Sequence, residues 1–258
     1  MCELFGICGN GRKNVTPYLR EFFSRSYKHC HGWGIANFAG NGVSLEKEPI
    51  MASNSYYLRA RMQFPIVATN LIAHIRLASV GDMSYVNCHP FVLSDNRGRT
   101  WTLAHNGTIF DLSPLDIYTL QQTGGTDSEL ILLYLIDQVN RQQNQLGRAL
   151  EVPERFALVE KVAVELSAGN KLNLLIWDGE VMYAHSNYAQ SLYCLQESDA
   201  LYLATAPLGK QAWSPAPFLH LVAYKEGRIL MESSRRSEEY KDDPSDASDF
   251  QAVDSAQL

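Results

Sequence analysis

Short apolar runs recur along most of the chain and predict many strands. The first run, residues 2–9, has the composition of a buried strand, and the stretch 9–11 (Gly-Asn-Gly) predicts a turn after it. Three pairs of apolar runs flank two-residue turn sequences and predict β-hairpins, at Asn41-Gly42, Asp178-Gly179 and Glu226-Gly227. Other apolar runs predict strands within residues 64–79, 89–95, 99–107, 191–197 and 200–208.

Three longer segments have apolar side chains at helical spacing. They are residues 16–28, 127–142 and 153–167. Thr16 is the predicted N-cap of the first helix, with Pro17 at its first position. The second helix has the most regular spacing of Leu and Ile, and either Thr126 or Asp127 caps it. The middle of the chain is therefore predicted to be largely helical.

The order of these elements favours an α+β fold. Strands at both ends and helices in the middle exclude a regular βαβ alternation, so we expect antiparallel sheets packed on each other with helices outside. We expect one domain over residues 2–233. Residues 234–258 are acidic, rich in Ser and poor in large apolar side chains, which predicts a disordered tail.

Composition and charge narrow the class of protein. The chain has 258 residues, of which 46% are hydrophobic and 19% are charged, as in many globular enzymes. The net charge of −6, without a basic run, argues against a nucleic-acid partner. No apolar segment has the length needed to span a membrane, and the N-terminus has no secretory signal pattern. We therefore expect a cytoplasmic protein that does not bind membranes.

The five cysteines predict neither a disulfide framework nor a zinc site. They are odd in number and spread over the chain, which fits a reducing compartment. The Cys and His residues at 29–31 and 88–89 lie close together in sequence, but neither group has a zinc-ligand spacing. We expect no metal and no cofactor. His89 and His105 are expected to be supporting or structural groups, and His74 a core residue.

Cys2 is a candidate nucleophile because it directly follows Met1. Methionine aminopeptidases remove Met1 when the second residue is small, which would leave a thiol and a free α-amine on Cys2. Such an amine titrates near ~7.7–8.0 in peptides, so it can accept the thiol proton and later donate it to a leaving amine. The alternative is a small buried side chain near the start of a strand.

Three further positions carry polar groups that suit a small ligand. Asn106 and Gly107 end a predicted strand, and their amide groups form either an oxyanion hole or a plain turn. Arg76 interrupts an apolar strand and is either a carboxylate anchor or half of an ion pair. Asp127 begins a helix and is either its N-cap or a group that binds a cation. Together with Cys2, these groups match a small zwitterion such as glutamine.

Five motifs in a fixed order connect these residues to a known family. They resemble the motifs of class II glutamine amidotransferases, in the N-terminal-nucleophile hydrolase superfamily, and read MCELFGICG, HGWGIA, AHIRLAS followed by NCHP, AHNG, and GTDSE. The resemblance covers residues 2–140 well and extends more weakly to about residue 233. It implies a four-layer αββα sandwich of two antiparallel sheets flanked by helices.

The resemblance also implies a mechanism. Cys2 would attack the side-chain amide carbon of glutamine and form a thioester, with its own α-amine as the base. Asn106 and the Gly107 amide would hold the oxyanion. Ammonia would leave, and water would then release glutamate.

The same resemblance assigns the substrate-binding groups. Arg76, with help from Ser79, would bind the α-carboxylate of the substrate, and Asp127 would bind its α-ammonium. The family often has His-Gly after the segment that ends at Ser79, whereas this chain has Val80-Gly81. One polar contact to the substrate is therefore expected to be absent.

We expect a stand-alone unit that hydrolyses a γ-glutamyl amide. The large amidotransferases carry a second, synthase domain that consumes the ammonia, and the residues after the last predicted strand are too few to form one. The substrate is either glutamine, with a separate ammonia-accepting synthase as partner, or a γ-glutamyl peptide that needs none. The remaining alternative is a catalytically silent subunit that senses glutamine or serves in assembly.

Overall fold

The computed structural model describes residues 2–40 and 42–241. The strands of this part are β1 (Glu3–Asn14), β2 (Trp33–Ala39), β3 (Gly42–Glu48), β4 (Val67–Ile75), β5 (Phe91–Ser94), β6 (Thr100–Thr108), β7 (Lys171–Trp177), β8 (Met182–Ser186), β9 (Tyr193–Gln196), β10 (Ala200–Ala204), β11 (Ser214–Pro215), β12 (Leu221–Lys225) and β13 (Arg228–Glu232). Its α-helices are α1 (Thr16–Ser24), α2 (Tyr56–Arg61), α3 (Asp127–Leu146) and α4 (Val152–Ser167).

Within the described residues the strands form two antiparallel sheets. Sheet A has seven strands in the order β11-β9-β10-β1-β4-β2-β3, and sheet B has six in the order β13-β12-β8-β7-β6-β5. Buried apolar side chains fill three layers: between sheet A and helices α1 and α2, between the two sheets, and between sheet B and helices α3 and α4. The molecule is a four-layer αββα sandwich, which confirms the predicted fold class.

Strand β1 contributes to two of these layers. Successive side chains of a strand point to opposite faces, so Phe5 and Ile7 pack towards the helices while Leu4 and Cys8 pack between the sheets. All four side chains are fully buried. Burial on both faces explains the continuous apolar run of this segment, because β1 lies inside sheet A between β10 and β4.

The turn predicted after β1 is wrong. The strand continues through residues 9–11 to Asn14, and its pairing with β4 shifts in register after Cys8. The Asn10 amide donates to the Asp199 carbonyl at 2.8 Å. A partner far along the chain therefore keeps the glycine-rich stretch extended.

The predicted cap of the first helix is also wrong. Val15 is the N-cap of α1, and Thr16 is its first helical residue. The Thr16 hydroxyl oxygen accepts a hydrogen bond from the Ile66 amide at 2.7 Å. The side chain that was expected to cap the helix instead holds the segment that leads into β4. The helix ends at Ser24, and residues 25–28 continue as a 3-10 turn.

The three predicted hairpins are confirmed as β2–β3, β7–β8 and β12–β13. The two-residue turn predicted at Asp178-Gly179 is wrong, because Trp177 pairs with Met182 and residues 178–181 form the loop. In the β12–β13 hairpin, Glu226 and Gly227 have φ values of 53° and 75°, as a primed turn requires. Ala39 pairs with Gly42, so Gly42 already belongs to β3, and residue 41 lies outside the described residues. The sequence did not predict α2 or β11, because six and two residues are too few to show a periodic pattern.

The two predicted central helices are confirmed, and α3 runs to Leu146 rather than residue 142. Gly147 follows in the left-handed conformation and ends the helix. Among the described residues, no helix combines the length and the apolar composition that crossing a bilayer requires.

The first part of the predicted tail packs on the body of the protein. Residues 234–241 are described, whereas residues 242–258 lie outside the described part of the chain. The Tyr240 amide donates to the Asn187 carbonyl at 2.8 Å, and the Tyr240 ring stacks on Phe110 with 5.7 Å between ring centroids. Contacts with the body thus extend beyond the predicted boundary at residue 233, because an aromatic side chain and a backbone amide find partners there.

Candidate active site

Three strand ends bring polar residues to one end of the sandwich. Cys2 precedes β1, Arg76 follows β4, and Asn106 lies near the end of β6. Side chains alternate along a strand, so each of these residues shares a face with the residue two or four positions away. Those residues belong to the core between the sheets and are Leu4, Ile72 and Ala104. All three polar residues therefore face the space between the sheets.

A small cavity of about 20 Å³ lies at this end of the molecule. Five of the six predicted site residues line it, namely Cys2, Arg76, Ser79, Gly107 and Asp127. The sixth, Asn106, is buried next to Gly107 without lining the cavity, and its Oδ1 has no hydrogen-bond partner among the described residues. The fold thus brings together residues from four separate segments of the chain.

The Cys2 thiol lies against the backbone of Leu77. The Leu77 amide donates to Cys2 Sγ at 3.3 Å, and Sγ is also 3.3 Å from the Leu77 carbonyl oxygen. Burial raises the pKa of the Cys2 thiol, although the Leu77 hydrogen bond and the charge of Arg76 act to lower it. The thiol is therefore protonated at neutral pH and needs a base before it can act as a nucleophile.

The Arg76 guanidinium is buried and bonded to a loop of its own segment. It donates to the carbonyl oxygens of Val80 and Asp82 at 2.7 Å and of Gly81 at 2.9 Å. Within the described chain, no carboxylate lies within 4.0 Å of its nitrogens, so the ion pair considered from the sequence does not form there. Burial lowers its pKa, which still leaves a guanidinium charged.

Asp127 is the first residue of α3 rather than its cap. The cap is Thr126, whose side chain accepts a hydrogen bond from the Glu129 amide at 3.2 Å. The Asp127 carboxylate accepts from the Ile109 amide at 2.9 Å and from the Ser128 amide at 2.8 Å. It lies at the positive end of the helix dipole and lines the cavity, a position that stabilises its negative charge.

Gly107 lies within β6, which continues to Thr108, so the plain turn considered from the sequence does not form. A Cβ atom at Gly107 would lie 1.8 Å from the Lys171 carbonyl oxygen and 2.5 Å from His105 Nε2. Glycine at this position lets β6 and β7 approach closely where the site begins.

Two supporting residues border the cavity behind Asp127. The His105 imidazole lies with Nδ1 3.0 Å from Ser128 Oγ and with Nε2 3.2 Å from the Lys171 carbonyl oxygen. Ser128 Oγ is 3.2 Å from Asp127 Oδ1, so the three side chains form a connected row. The sequence indicated a supporting role for His105, whereas Ser128 gave no signal apart from its place beside Asp127.

The buried histidines of the site are neutral. The His74 and His89 rings stack with 4.0 Å between centroids, and His74 Nε2 is 3.2 Å from the His105 carbonyl oxygen. Burial lowers the pKa of all three imidazoles. The described residues contain no group of three or more His, Cys, Asp and Glu side chains that could hold a metal ion.

A larger cleft of about 690 Å³ lies away from these residues. The far end of β1 and the β7–β8 and β12–β13 turns form its walls, and its lining includes Arg12, Asn70, Trp177, Lys225 and Glu226. It contains none of the predicted site residues. Cavity volume alone therefore does not indicate which cavity is the candidate active site.

Sequence comparisons identify a family and several relatives of this chain. A family model described as "Glutamine amidotransferases class-II" matches residues 1–200. An uncharacterised protein of Methanocaldococcus jannaschii is 30% identical over 91% of this chain and 72% of its own length. A protein of Haemophilus influenzae, provisionally named a glutamine amidotransferase, is 32% identical over 72% of this chain and 63% of its own length.

A solved structure shares the fold. The crystal structure of a predicted glutamine amidotransferase from Pseudomonas aeruginosa aligns with a TM-score of 0.63 and 24% identity, over 89% of this chain and 99% of that one. The fold, the motifs and the family match agree, and the chain belongs to the class-II glutamine amidotransferases.

Proposed function

We propose that the protein hydrolyses the side-chain amide of glutamine, or a related γ-glutamyl amide, through a thioester on Cys2. The main support is that Cys2, Arg76 and Asp127 line one cavity in a member of the class-II family. A nucleophile, a cation and a carboxylate around one space match the amide, the α-carboxylate and the α-ammonium of glutamine.

In this proposal the mature chain begins at Cys2 after removal of Met1. The thiol proton passes to the α-amine of Cys2 while Sγ attacks the amide carbon. The amine then gives the proton to the leaving nitrogen, the C–N bond breaks, and ammonia leaves a γ-glutamyl thioester behind. Water attacks the thioester with the same amine as base, which releases glutamate and restores the thiol.

The raised pKa of the Cys2 thiol supports a mechanism with a local base. A protonated thiol is a weak nucleophile. Burial lowers the pKa of His89 and His105, which line the cavity, and so makes both imidazoles weak bases. An α-amine on the same residue needs no further side chain to bring it into reach.

The Gly107 amide and the Asn106 side chain are the proposed oxyanion donors. Gly107 lines the cavity, and Asn106 precedes it on the face between the sheets. Preorganised donors stabilise the negative oxygen of the tetrahedral intermediate most where water is excluded. The burial of Asn106 and the place of Gly107 at the cavity wall support this role.

Arg76, Ser79 and Asp127 are the proposed recognition groups. The Arg76 guanidinium has five N–H donors, and its three bonds to loop carbonyls leave two for the α-carboxylate of the substrate. The Ser79 hydroxyl assists at the same carboxylate. The Asp127 carboxylate, at the start of α3, binds the α-ammonium.

Glutamine and γ-glutamyl peptides share the groups that this site would bind. Hydrolysis of glutamine releases ammonia, which a separate synthase would accept as a partner. Hydrolysis of a γ-glutamyl peptide releases an amine and needs no such partner. The leaving group therefore distinguishes the two substrate classes, and the same Cys2 thioester serves both.

The first test is glutamate release from glutamine and from a γ-glutamyl peptide, with intact mass confirming that Met1 is gone. We expect release by the wild type and less than about 1% of it after Cys2→Ala, because no other group can form the thioester. Cys194→Ala is the matched control, since Cys194 lies on β9 and does not line the cavity. Equal activity of Cys2→Ala and the wild type would exclude the mechanism, and an inactive wild type that binds glutamine would indicate a silent sensing subunit.

A further inference from the structure

The side-chain amide of Asn87 joins two loops that meet beside the cavity. Asn87 ends a 3-10 turn (Tyr85–Asn87) and is 1% exposed. Its Oδ1 accepts a hydrogen bond from the Gly125 amide at 2.8 Å. Its Nδ2 donates to the Asp82 carbonyl oxygen at 3.1 Å and to the Asp82 carboxylate at 2.6 Å. These partners fix the orientation of the amide, because a peptide N–H only donates and a carbonyl oxygen only accepts.

Each loop leads to one of the charged residues of the proposed site. Arg76 donates at 2.7 Å to the same Asp82 carbonyl that accepts from Asn87. On the other side, Gly125 directly precedes the Thr126 cap and Asp127. The Asn87 amide thus connects the loop that holds the proposed carboxylate anchor to the loop that delivers the proposed ammonium anchor.

The packing around this amide leaves no room for side chains on the neighbouring loops. A Cβ atom at Gly124 would lie 2.2 Å from Asn87 Oδ1. A Cβ atom at Gly81 would lie 3.0 Å from Asn87 Nδ2 and 3.1 Å from the Gly125 carbonyl oxygen. Gly81 also has a φ of 77°, which favours glycine. The two glycines let both loops pack directly on the amide.

We propose that Asn87 is a positioning residue that sets the spacing between Arg76 and Asp127, and so the recognition of the α-amino-acid end of the substrate. This inference rests on the proposed function of the site. Asn87 does not line the cavity, so it acts through the loops rather than on the reacting atoms. Asn87 belongs to the NCHP motif, and the sequence alone assigned no role to this asparagine.

The Asn87→Asp substitution keeps the hydrogen bond to one loop and removes the hydrogen bonds to the other. Aspartate keeps an oxygen that can accept from the Gly125 amide, but it loses both donors and places a carboxylate against the Asp82 carboxylate. The loop that holds Arg76 is therefore expected to shift, while the Gly125 side is retained. Asn87→Ala removes both contacts and affects both anchors.

The test compares kcat and KM of the full chain for glutamine and for 4-aminobutanamide, which lacks the α-carboxylate. For Asn87→Asp we expect KM for glutamine to rise about tenfold or more with kcat changed by less than about threefold, because ground-state recognition is lost and the nucleophile is intact. The kcat/KM for 4-aminobutanamide should change by less than about threefold, because that substrate does not use Arg76.

Asn96→Asp is the matched control, because the Asn96 side-chain amide also donates, to Asn144 Oδ1, and accepts, from Gln143 Nε2, both at 2.8 Å and away from the cavity. We expect its kinetics to equal those of the wild type. Thermal unfolding of each variant shows whether it has folded. The inference would be overturned if Asn87→Asp lowered kcat/KM equally for both substrates. It would also be overturned if the variant had the wild-type KM for glutamine.

Glutamine binding to Cys2→Ala variants tests the role of Asn87 without requiring catalysis. Calorimetry on Cys2→Ala and on Cys2→Ala with Asn87→Asp should show weaker binding in the double variant by about tenfold. A wild type that releases no glutamate while this difference holds would contradict the proposed hydrolysis only. An active wild type with equal affinities in the two variants would contradict the role of Asn87 only.

Discussion

At the scale of single residues, position 107 requires glycine because β6 and β7 approach each other closely there. We predict that Gly107→Ala lowers the free energy of unfolding by roughly 2–3 kcal/mol and abolishes glutamate release, because its Cβ would lie 1.8 Å from the Lys171 carbonyl oxygen. Urea unfolding and the glutamate assay check both effects. Gly11→Ala is the matched control in β1, since its Cβ would meet nothing within 4 Å. A Gly107→Ala variant as stable and active as Gly11→Ala would contradict the prediction.

Residues with an unusual local sequence context were identified from the sequence, whereas residues that act through contacts between distant segments were not. Cys2 and Arg76 were recognisable because a thiol behind the initiator Met and a cation in an apolar strand are unusual. Asn87 and Ser128 were not, because their contacts join segments that are separate in the sequence. The bond from Gly125 to Asn87 spans 38 residues, and no local pattern encodes it.

At the scale of elements, His185 joins β8 to the end of α4. The Ser167 hydroxyl donates to the Ala163 carbonyl at 2.6 Å, so the hydroxyl oxygen accepts from His185 Nε2 at 2.9 Å. Burial lowers the pKa of His185 to about 4, whereas an unfolded chain titrates near 6.5. Between these values the unfolded chain binds a proton that the folded chain does not.

We therefore predict that the stability from neutral His185 is fully present above about pH 6.5 and is lost as the pH falls towards 4. The free energy of unfolding is expected to fall by about 3 kcal/mol over this range, and His185→Gln should abolish this pH-dependent decrease. The lowered pKa values of His74, His89 and His105 act in the same direction, so the difference between variant and wild type isolates His185. Urea unfolding at several pH values from 7 to 4.5 measures it. Parallel stability curves for the two proteins would show that His185 does not contribute.

Element boundaries were predictable where local chemistry sets them. The three hairpins followed from their turn residues, and α3 followed from its apolar spacing and the Thr126 cap. The continuation of β1 through residues 9–11 did not follow, because it depends on a bond from Asn10 to the distant Asp199. Local patterns therefore predict elements and turns better than they predict strand ends.

At the scale of the whole molecule, the strand order explains where Cys2 lies. β1 pairs with β4 on one side and with β10 on the other, although β10 is almost 200 residues away in sequence. The start of the chain therefore lies inside sheet A rather than at its edge. The α+β class was predictable from the order of elements, and the four layers from the family resemblance. These long-range strand pairings were not predictable, because no local sequence pattern specifies them.

The final prediction concerns the chain after β13. A chain ended at residue 241 should be more stable than one ended at residue 233, by roughly 1–2 kcal/mol, because the longer chain keeps the Tyr240 stack on Phe110 and its amide bond to Asn187. Phe110 follows β6 by two residues, so this contact supports the loop beside Asp127. Urea unfolding of both chains tests the prediction, and Tyr240→Ala in the longer chain should reproduce only the part of the loss that comes from the ring stack, because alanine keeps the backbone amide bond. Equal unfolding midpoints for the two chains would mean that the segment contributes no stability and that the domain ends at residue 233, as the sequence first indicated.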